Sequence, residues 1–201
     1  MNFKASHTAA ALGALALAFT VAGGLTRAQP AGPVAYAADG KLLFPKDYRE
    51  WVFLSSGLGM SYVEGQGSSA PNFTNVFANP DAYAAFKKTG TWPDKTMLVL
   101  EVRASSQAGS INRQGRFQTD RAGVEVHVKD QARFKGGWAF FAFNGEGPGQ
   151  YLPTSAPCYS CHEAHGAVDT TFTQFYPTLM TVAQVKKTLS SAYLAEETKA
   201  H

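Results

Sequence analysis

The chain has 201 residues, of which 45% are hydrophobic, 16% charged and 12% aromatic, and its formal net charge is +3. This length supplies apolar material for one compact core and excludes a large multidomain enzyme. The sequence contains no basic run of the kind that follows a phosphate backbone, so nucleic acid is excluded as a partner. The aromatic content excludes a disordered chain, because such chains have too little apolar surface to bury.

The first 28 residues have the pattern of a secretory signal peptide. Lys4 gives a basic start, the stretch Ala9–Leu25 is apolar and uncharged, and small residues follow it. We place cleavage after Ala28, which leaves residues 29–201 as a single exported domain in the bacterial periplasm. A retained membrane anchor is the alternative, but the apolar stretch is diluted by Ala and Gly and is short against the roughly 20 residues that span a bilayer.

The predicted elements of this domain begin with a strand. Tyr48–Leu54 is an aromatic and β-branched run, and Gly57–Asn72 follows it as a loop. Asp81–Lys88 has the pattern of a short helix, because Asn79-Pro80 provides a cap and a first helical residue while Gly90 follows the last turn.

Three further strands are predicted, and loops of Gly, Ser, Asn and Pro connect them. Met97–Arg103 is the first of these strands, and Trp138–Phe143, which is apolar on both faces, reads as a central one. In Gly123–Val128 the alternation places three valines on one face and Glu125 and His127 on the other.

The last predicted element is a helix at Thr181–Leu194, in which apolar residues recur with a helical period and Thr181 is the candidate cap. Several strands with a helix between two of them, followed by helices, indicate an α+β domain. Its sheet is predominantly antiparallel and is packed against a few helices.

Both cysteines of the chain lie in Cys158-Tyr159-Ser160-Cys161-His162, which has the C-x-x-C-H spacing of covalent c-type haem attachment. Two thiols on one helical turn can each add to a porphyrin vinyl group, and the adjoining imidazole can then bind the iron. The pattern predicts one haem c, with Cys158 and Cys161 as thioether donors and His162 as the axial iron ligand.

Two cysteines at this spacing also occur in three other kinds of site. A zinc site needs four ligands, and the remaining histidines of residues 29–201, which are His127, His165 and His201, are scattered along the chain. A thioredoxin-like redox pair usually follows the first strand of a βαβ unit, whereas this pair lies near the C-terminus. A structural disulfide is the third interpretation, since exported cysteines are ordinarily free to pair.

The ligand on the distal side of the haem, opposite His162, decides between an electron carrier and an open site. His165 follows on the same helical turn and cannot reach round a porphyrin. The other candidates in the sequence are His127 and three methionines, for which core packing is the more common role: Met60, Met97 and Met180.

Further signatures occur in order along nearly all of the exported domain. They are Leu43–Val52, Asn79–Tyr83, Lys87–Gly90, Gly123–Glu125, Val128–Asp130, Trp138–Phe140, and Leu152 through the haem motif to Pro177. With these stretches the chain resembles the cytochrome P-460 and cytochrome c′-beta family. The resemblance implies a predominantly antiparallel β fold with a few helices, a homodimer, and a five-coordinate c haem on His162.

The resemblance also implies two alternative activities. Cytochrome P-460 oxidises hydroxylamine and has an additional covalent bond from a strand lysine to its haem. Cytochrome c′-beta lacks that bond, has an apolar distal site, and binds nitric oxide and carbon monoxide. The resemblance places Leu100 at the position of the lysine and Phe73 at a distal phenylalanine, and it matches Glu125 to a distal carboxylate that assists hydroxylamine oxidation.

The leading hypothesis is therefore an exported mono-haem cytochrome that binds nitric oxide or carbon monoxide in an open, apolar distal pocket bordered by Leu100 and Phe73. A hydroxylamine-oxidising enzyme, with Glu125 as the proton acceptor, is the second hypothesis. The third is a simple electron carrier with a periplasmic redox partner, which needs a sixth ligand such as Met97 or His127.

Overall fold

The computed structural model describes residues 33–62 and 70–200, so the predicted signal peptide lies outside the described residues. The described part of the chain forms six strands, four α-helices and two short 3-10 helices. The strands are β1 (Val52–Leu58), β2 (Phe73–Ala78), β3 (Met97–Ser106), β4 (Phe117–Lys129), β5 (Trp138–Phe143) and β6 (Gln150–Tyr151). The α-helices are α1 (Pro80–Thr89), α2 (Pro157–His165), α3 (Pro177–Lys186) and α4 (Ser191–Ala200).

The six strands form one antiparallel sheet whose spatial order follows the chain order from β1 to β6. Each strand pairs antiparallel with the next, and helices follow β2 and β6. The α+β prediction is therefore confirmed. None of the helices in residues 33–62 and 70–200 has the length and apolar character needed to cross a membrane.

Alternation along the strands gives the sheet two faces with different contacts. One face packs against the segment that precedes β1, in a core of Leu42, Phe44, Tyr48, Met97, Val99, Val124, Val126, Val128, Ala139, Phe141 and Phe143. The other face packs partly against α1 and α3, in a core of Ala78, Ala82, Phe86, Trp92, Leu98, Trp138, Val168, Tyr176, Leu179 and Ala183. The prediction that the three valines of β4 share one face is confirmed.

Three points predicted for the first half of the chain need correction. The predicted strand at Tyr48–Leu54 starts only at Val52, because Tyr48–Glu50 forms a 3-10 helix that buries the Tyr48 side chain. The sequence reading assigned no element to residues 73–78, where the structure has β2. Helix α1 is confirmed, but the Asn79 side chain does not cap it and instead accepts a hydrogen bond from the Met97 amide at 2.8 Å.

Strand β5 lies in the interior of the sheet between β4 and β6, as predicted, but the predicted C-terminal helix was wrong. Strand β5 is the fifth of six, and it is apolar on both faces because each face is covered by a core or by the cavity described below. The single helix predicted at Thr181–Leu194 is two helices. Lys187 adopts a left-handed conformation with φ of 59° and ends α3, and the Ser190 hydroxyl accepts a hydrogen bond from the Tyr193 amide at the start of α4.

Candidate functional site

A cavity of about 420 Å³ lies between helix α2 and the face of the sheet that also packs against α1 and α3. This volume is within the range of about 300–1,000 Å³ that is usual for cofactor and small-molecule sites. One wall is formed by side chains from β2 to β5, including Thr74, Val76, Leu98, Leu100, Glu125, His127 and Phe140. The opposite wall is formed by α2 and the segment after it, including Cys158, Cys161, His162, Phe172 and Tyr176.

Helix α2 presents both cysteines and the histidine to this cavity. Pro157 occupies its first turn, where the missing N–H costs no hydrogen bond, and the helix ends at His165 before Gly166. Residues three apart lie on the same side of a helix, so Cys158 and Cys161 share one face, and both thiols are free. Burial raises the pKa of Cys158 above its ordinary value.

The orientation of the His162 ring leaves one nitrogen free. Its Nδ1 lies 2.7 Å from the backbone carbonyl oxygen of Thr170. Because a carbonyl oxygen only accepts hydrogen bonds, Nδ1 must carry the proton, and Nε2 is then the bare nitrogen with its lone pair available. Burial lowers the pKa of His162, against the raising effect of this hydrogen bond, so the ring stays neutral near pH 7. A neutral imidazole whose other nitrogen donates to a carbonyl is the usual arrangement of a metal ligand.

Aromatic rings surround the His162 imidazole. Phe172 lies at 4.1 Å between ring centroids, Phe140 at 4.7 Å and His127 at 5.1 Å. These contacts restrict rotation of the ring, so its orientation is fixed by packing as well as by the hydrogen bond to Thr170.

His127 is buried in the opposite wall of the cavity, on strand β4. Its ring stacks on Phe140 with centroids 3.9 Å apart, and its Nε2 has no hydrogen-bond partner among the described residues. Burial, with a smaller contribution from His162, lowers its pKa well below the ordinary value and keeps the ring neutral. Because the two imidazoles are in direct edge contact, with centroids 5.1 Å apart, they leave no room for a porphyrin between them, and this arrangement disfavours His127 as the sixth ligand.

Of the predicted distal residues, the structure brings Leu100 and Glu125 to the cavity and leaves Phe73 outside it. Leu100 pairs directly with Glu125 across β3 and β4, so the two side chains lie side by side on the cavity face. Phe73 precedes Thr74, which lines the cavity, and strand alternation therefore directs Phe73 to the other face of the sheet.

The other candidate ligands are divided between the cavity, the core and the surface. Met97 is fully buried in the core on the opposite face of the sheet, whereas Met60 lines the cavity. His165 lies half exposed and pairs with Glu196 at 2.9 Å, away from the sheet.

Sequence reasoning missed part of the cavity wall. Thr74 and Val76 line it from β2, and Tyr62 lines it from the loop after β1, where its ring lies 5.8 Å from that of Phe172. A signal for β2 was present, because Phe73–Ala78 is rich in the aromatic and β-branched residues that favour strands. No local pattern indicates the position of Tyr62, which depends on how the loop folds back.

An apolar cavity faced by a neutral imidazole with a free nitrogen, beside two thiols on one helical turn, is suited to hold a haem. Comparison with known protein families matches residues 45–173 to cytochrome P460. The chain therefore belongs to the cytochrome P460 family, which implies a haem cofactor and iron binding. No match was found among the curated proteins.

Proposed function

We propose that the protein is an exported mono-haem c-type cytochrome whose five-coordinate haem binds nitric oxide or carbon monoxide. Cys158 and Cys161 attach the haem and His162 binds the iron. When bound, the haem supplies an iron centre whose open position takes small neutral ligands. The residues of this chain hold the cofactor, orient the axial imidazole and determine which groups surround the open position.

The arrangement of α2 supports covalent attachment. Both thiols are free, lie on one helical face and line the same cavity as His162. A disulfide between them would remove both attachment points, and a zinc site would need further ligands: no group of three or more histidine, cysteine or acidic side chains suited to a metal occurs in the described part of the chain.

The single observation that carries the gas-binding proposal is the lining of the cavity at Leu100. Among the described residues that form this wall there is no lysine, so no amine is placed to form a second covalent bond to the haem. Leu100, with Val76 and Leu98, forms an apolar patch in this wall, and none of these three side chains has an atom that could bind iron. Such a surface favours neutral diatomic ligands.

Hydroxylamine oxidation is the second candidate function, and Glu125 is the observation that favours it. The carboxylate lines the cavity next to Leu100 and is the group that could accept a proton there. Under this alternative the enzyme would act without the lysine bond. An electron carrier is the third candidate. With Met97 in the opposite core, it depends on Met60 as the sixth ligand.

Replacing Leu100 by Lys, with Leu100→Ile as the matched apolar control, tests the leading proposal. We expect the wild type and Leu100→Ile to bind nitric oxide and carbon monoxide and to show no hydroxylamine turnover. We expect Leu100→Lys to shift the Soret band to longer wavelength if the amine reaches the porphyrin. Hydroxylamine oxidation by the wild-type protein would overturn the proposal, whereas a cross-linked Leu100→Lys protein without turnover would show that a group beyond position 100 is also needed.

The proposal includes export and self-association. Cleavage after Ala28 is tested by N-terminal sequencing of the protein recovered from the periplasm, and the homodimer by light scattering of the haem-loaded protein. Retention of the first 28 residues would contradict export with cleavage after Ala28. A monomeric mass would contradict the homodimer.

A further inference from the structure

The carbonyl group that orients His162 belongs to a tight turn at Val168–Thr171. Thr171 N–H donates to Val168 O at 2.9 Å, and the Val168 amide faces Thr171 O at 3.4 Å. Asp169 adopts a left-handed conformation with φ of 52°. A non-glycine residue in this region is uncommon and is retained only where its surroundings fix it. The direction of the Thr170 carbonyl therefore depends on the contacts that hold this turn.

The first contact is a buried hydroxyl inside the turn. The indole Nε1–H of Trp92 donates to Thr171 Oγ1 at 2.9 Å, and that hydroxyl donates to Val168 O at 2.8 Å. The Thr173 hydroxyl lies 2.9 Å from Thr171 Oγ1 and can donate to it. Because Trp92 and Thr171 are almost completely buried, water cannot replace a lost partner here without a change in packing.

The second contact is an ion pair on the outer side of the turn. The Lys129 ammonium group lies 3.2 Å from Asp169 Oδ2 and donates to Trp92 O at 2.7 Å, and it also lies over the Trp138 ring. The side chains of Lys129 and Asp169 are only 12% and 28% exposed, so the pair is partly protected from solvent screening. Lys129 thus connects β4 to the turn and to the backbone of Trp92.

We propose that Trp92, Lys129 and Thr171 are positioning residues that hold the Thr170 carbonyl against His162 and thereby set the electron donation of the axial imidazole to the iron. None of the three is proposed to touch the iron, and they act through the turn. This inference rests on the proposed role of His162 as the axial ligand.

A firm hydrogen bond from Nδ1–H makes the imidazole a stronger donor, which favours the ferric state. Loosening of the turn weakens the iron–histidine bond. We therefore expect a lower iron–histidine stretching frequency in the ferrous protein and a higher reduction potential when the turn is loosened.

The experiment uses the haem-loaded full chain and two pairs of variants. Thr171→Val removes the hydroxyl at nearly constant volume, whereas Thr171→Ser keeps the hydroxyl and removes only the methyl group. Lys129→Met removes the ammonium group while keeping most of the stem. Lys95→Met is the matched control, because it breaks a Lys–Asp ion pair with Asp130 that does not involve the turn.

We expect Thr171→Val and Lys129→Met to lower the stretching frequency measured by resonance Raman spectroscopy and to raise the potential. Thr171→Ser and Lys95→Met should stay at the wild-type values. Unchanged values in Lys129→Met, with the wild-type band present, would overturn the inference even if Thr171→Val failed to fold. Absence of an iron–histidine band in the wild type would instead overturn the proposed axial ligand.

Discussion

Replacing Glu101 by Gln tests how the structure keeps β3 in the register that brings Leu100 to the cavity. Glu101 follows Leu100 and faces the opposite side of the sheet, where it is 2% exposed. Its carboxylate accepts hydrogen bonds from Tyr48 at 2.7 Å, Arg103 at 3.0 Å, Asn75 at 3.3 Å and also from Arg49. A slip of one residue would expose this network and move Leu100 to the other face.

The expected cost follows from burial and charge. Removing one partner of a buried ion pair costs about 3–5 kcal/mol. Two features reduce this cost in Glu101→Gln. Arg49 is half exposed and is hydrated when Glu101 loses its charge, and Gln can still accept the Tyr48 hydrogen bond. We therefore expect the free energy of unfolding to fall by about 2–3 kcal/mol. A domain of this size loses about 2–4 °C in Tm per kcal/mol, so the expected fall in Tm is about 4–12 °C.

The effect should also depend on pH. Burial alone would raise the pKa of Glu101, but the hydrogen bonds from Arg49, Tyr48 and Asn75 outweigh it and hold the pKa below its ordinary value. The folded state therefore binds this proton less readily than the unfolded state, whose pKa is about 4.3. The stabilisation is complete above that value and is lost as pH falls through the folded pKa.

The assay is urea unfolding of the wild type and Glu101→Gln at pH 7 and at steps down to pH 3. The half-exposed Glu146, which lies 3.8 Å from Arg121, provides Glu146→Gln as a matched control that should not change stability. The difference between the wild type and Glu101→Gln should shrink below about pH 4.3. Equal stability at pH 7, or a difference that stays constant to pH 3, would refute this reasoning.

Three further changes have defined outcomes. Substituting both Cys158 and Cys161 by Ala should release the haem under denaturing electrophoresis, and haem that stays bound would contradict covalent attachment through these thiols. Met60→Leu should leave the ferrous optical spectrum unchanged, and conversion from low spin to high spin would identify Met60 as a sixth ligand. Leu179→Ala, at a fully buried position, should cost about 2–5 kcal/mol in urea unfolding, and a cost below about 1 kcal/mol would contradict its place in the core.

Patterns that depend on neighbouring residues were predicted correctly from the sequence. The alternation in β4 placed three valines on one face and Glu125 with His127 on the other, because side-chain direction in a strand is fixed by period two; the structure shows that the valines face the core. The spacing of Cys158, Cys161 and His162 predicted that one helical turn brings them together, and all three line the cavity from α2; their binding to a haem stays a prediction.

Features that depend on tertiary contacts were not predicted. The apolar period of the last helical segment continues through Lys187, but the chain turns there, and the Thr188 hydroxyl donates to Gly90 O at 2.7 Å beyond the end of α1. The partner of His162 could not be foreseen either, because the Thr170 carbonyl has the same sequence signal as any other backbone carbonyl. Its role depends on a turn that Trp92 and Lys129 hold from elsewhere in the chain.

The optical spectrum of the ferrous protein, produced with its export segment in a host that matures c-type haem, tests the central claim most directly. We predict a high-spin spectrum at ordinary c-haem wavelengths, because the proposed site has His162 as its one axial ligand and Leu100, which lines the cavity, has no amine. A Soret band at markedly longer wavelength would contradict the account and indicate a cross-linked haem with hydroxylamine chemistry. Sharp low-spin bands would also contradict it, because they would require a sixth ligand from the protein.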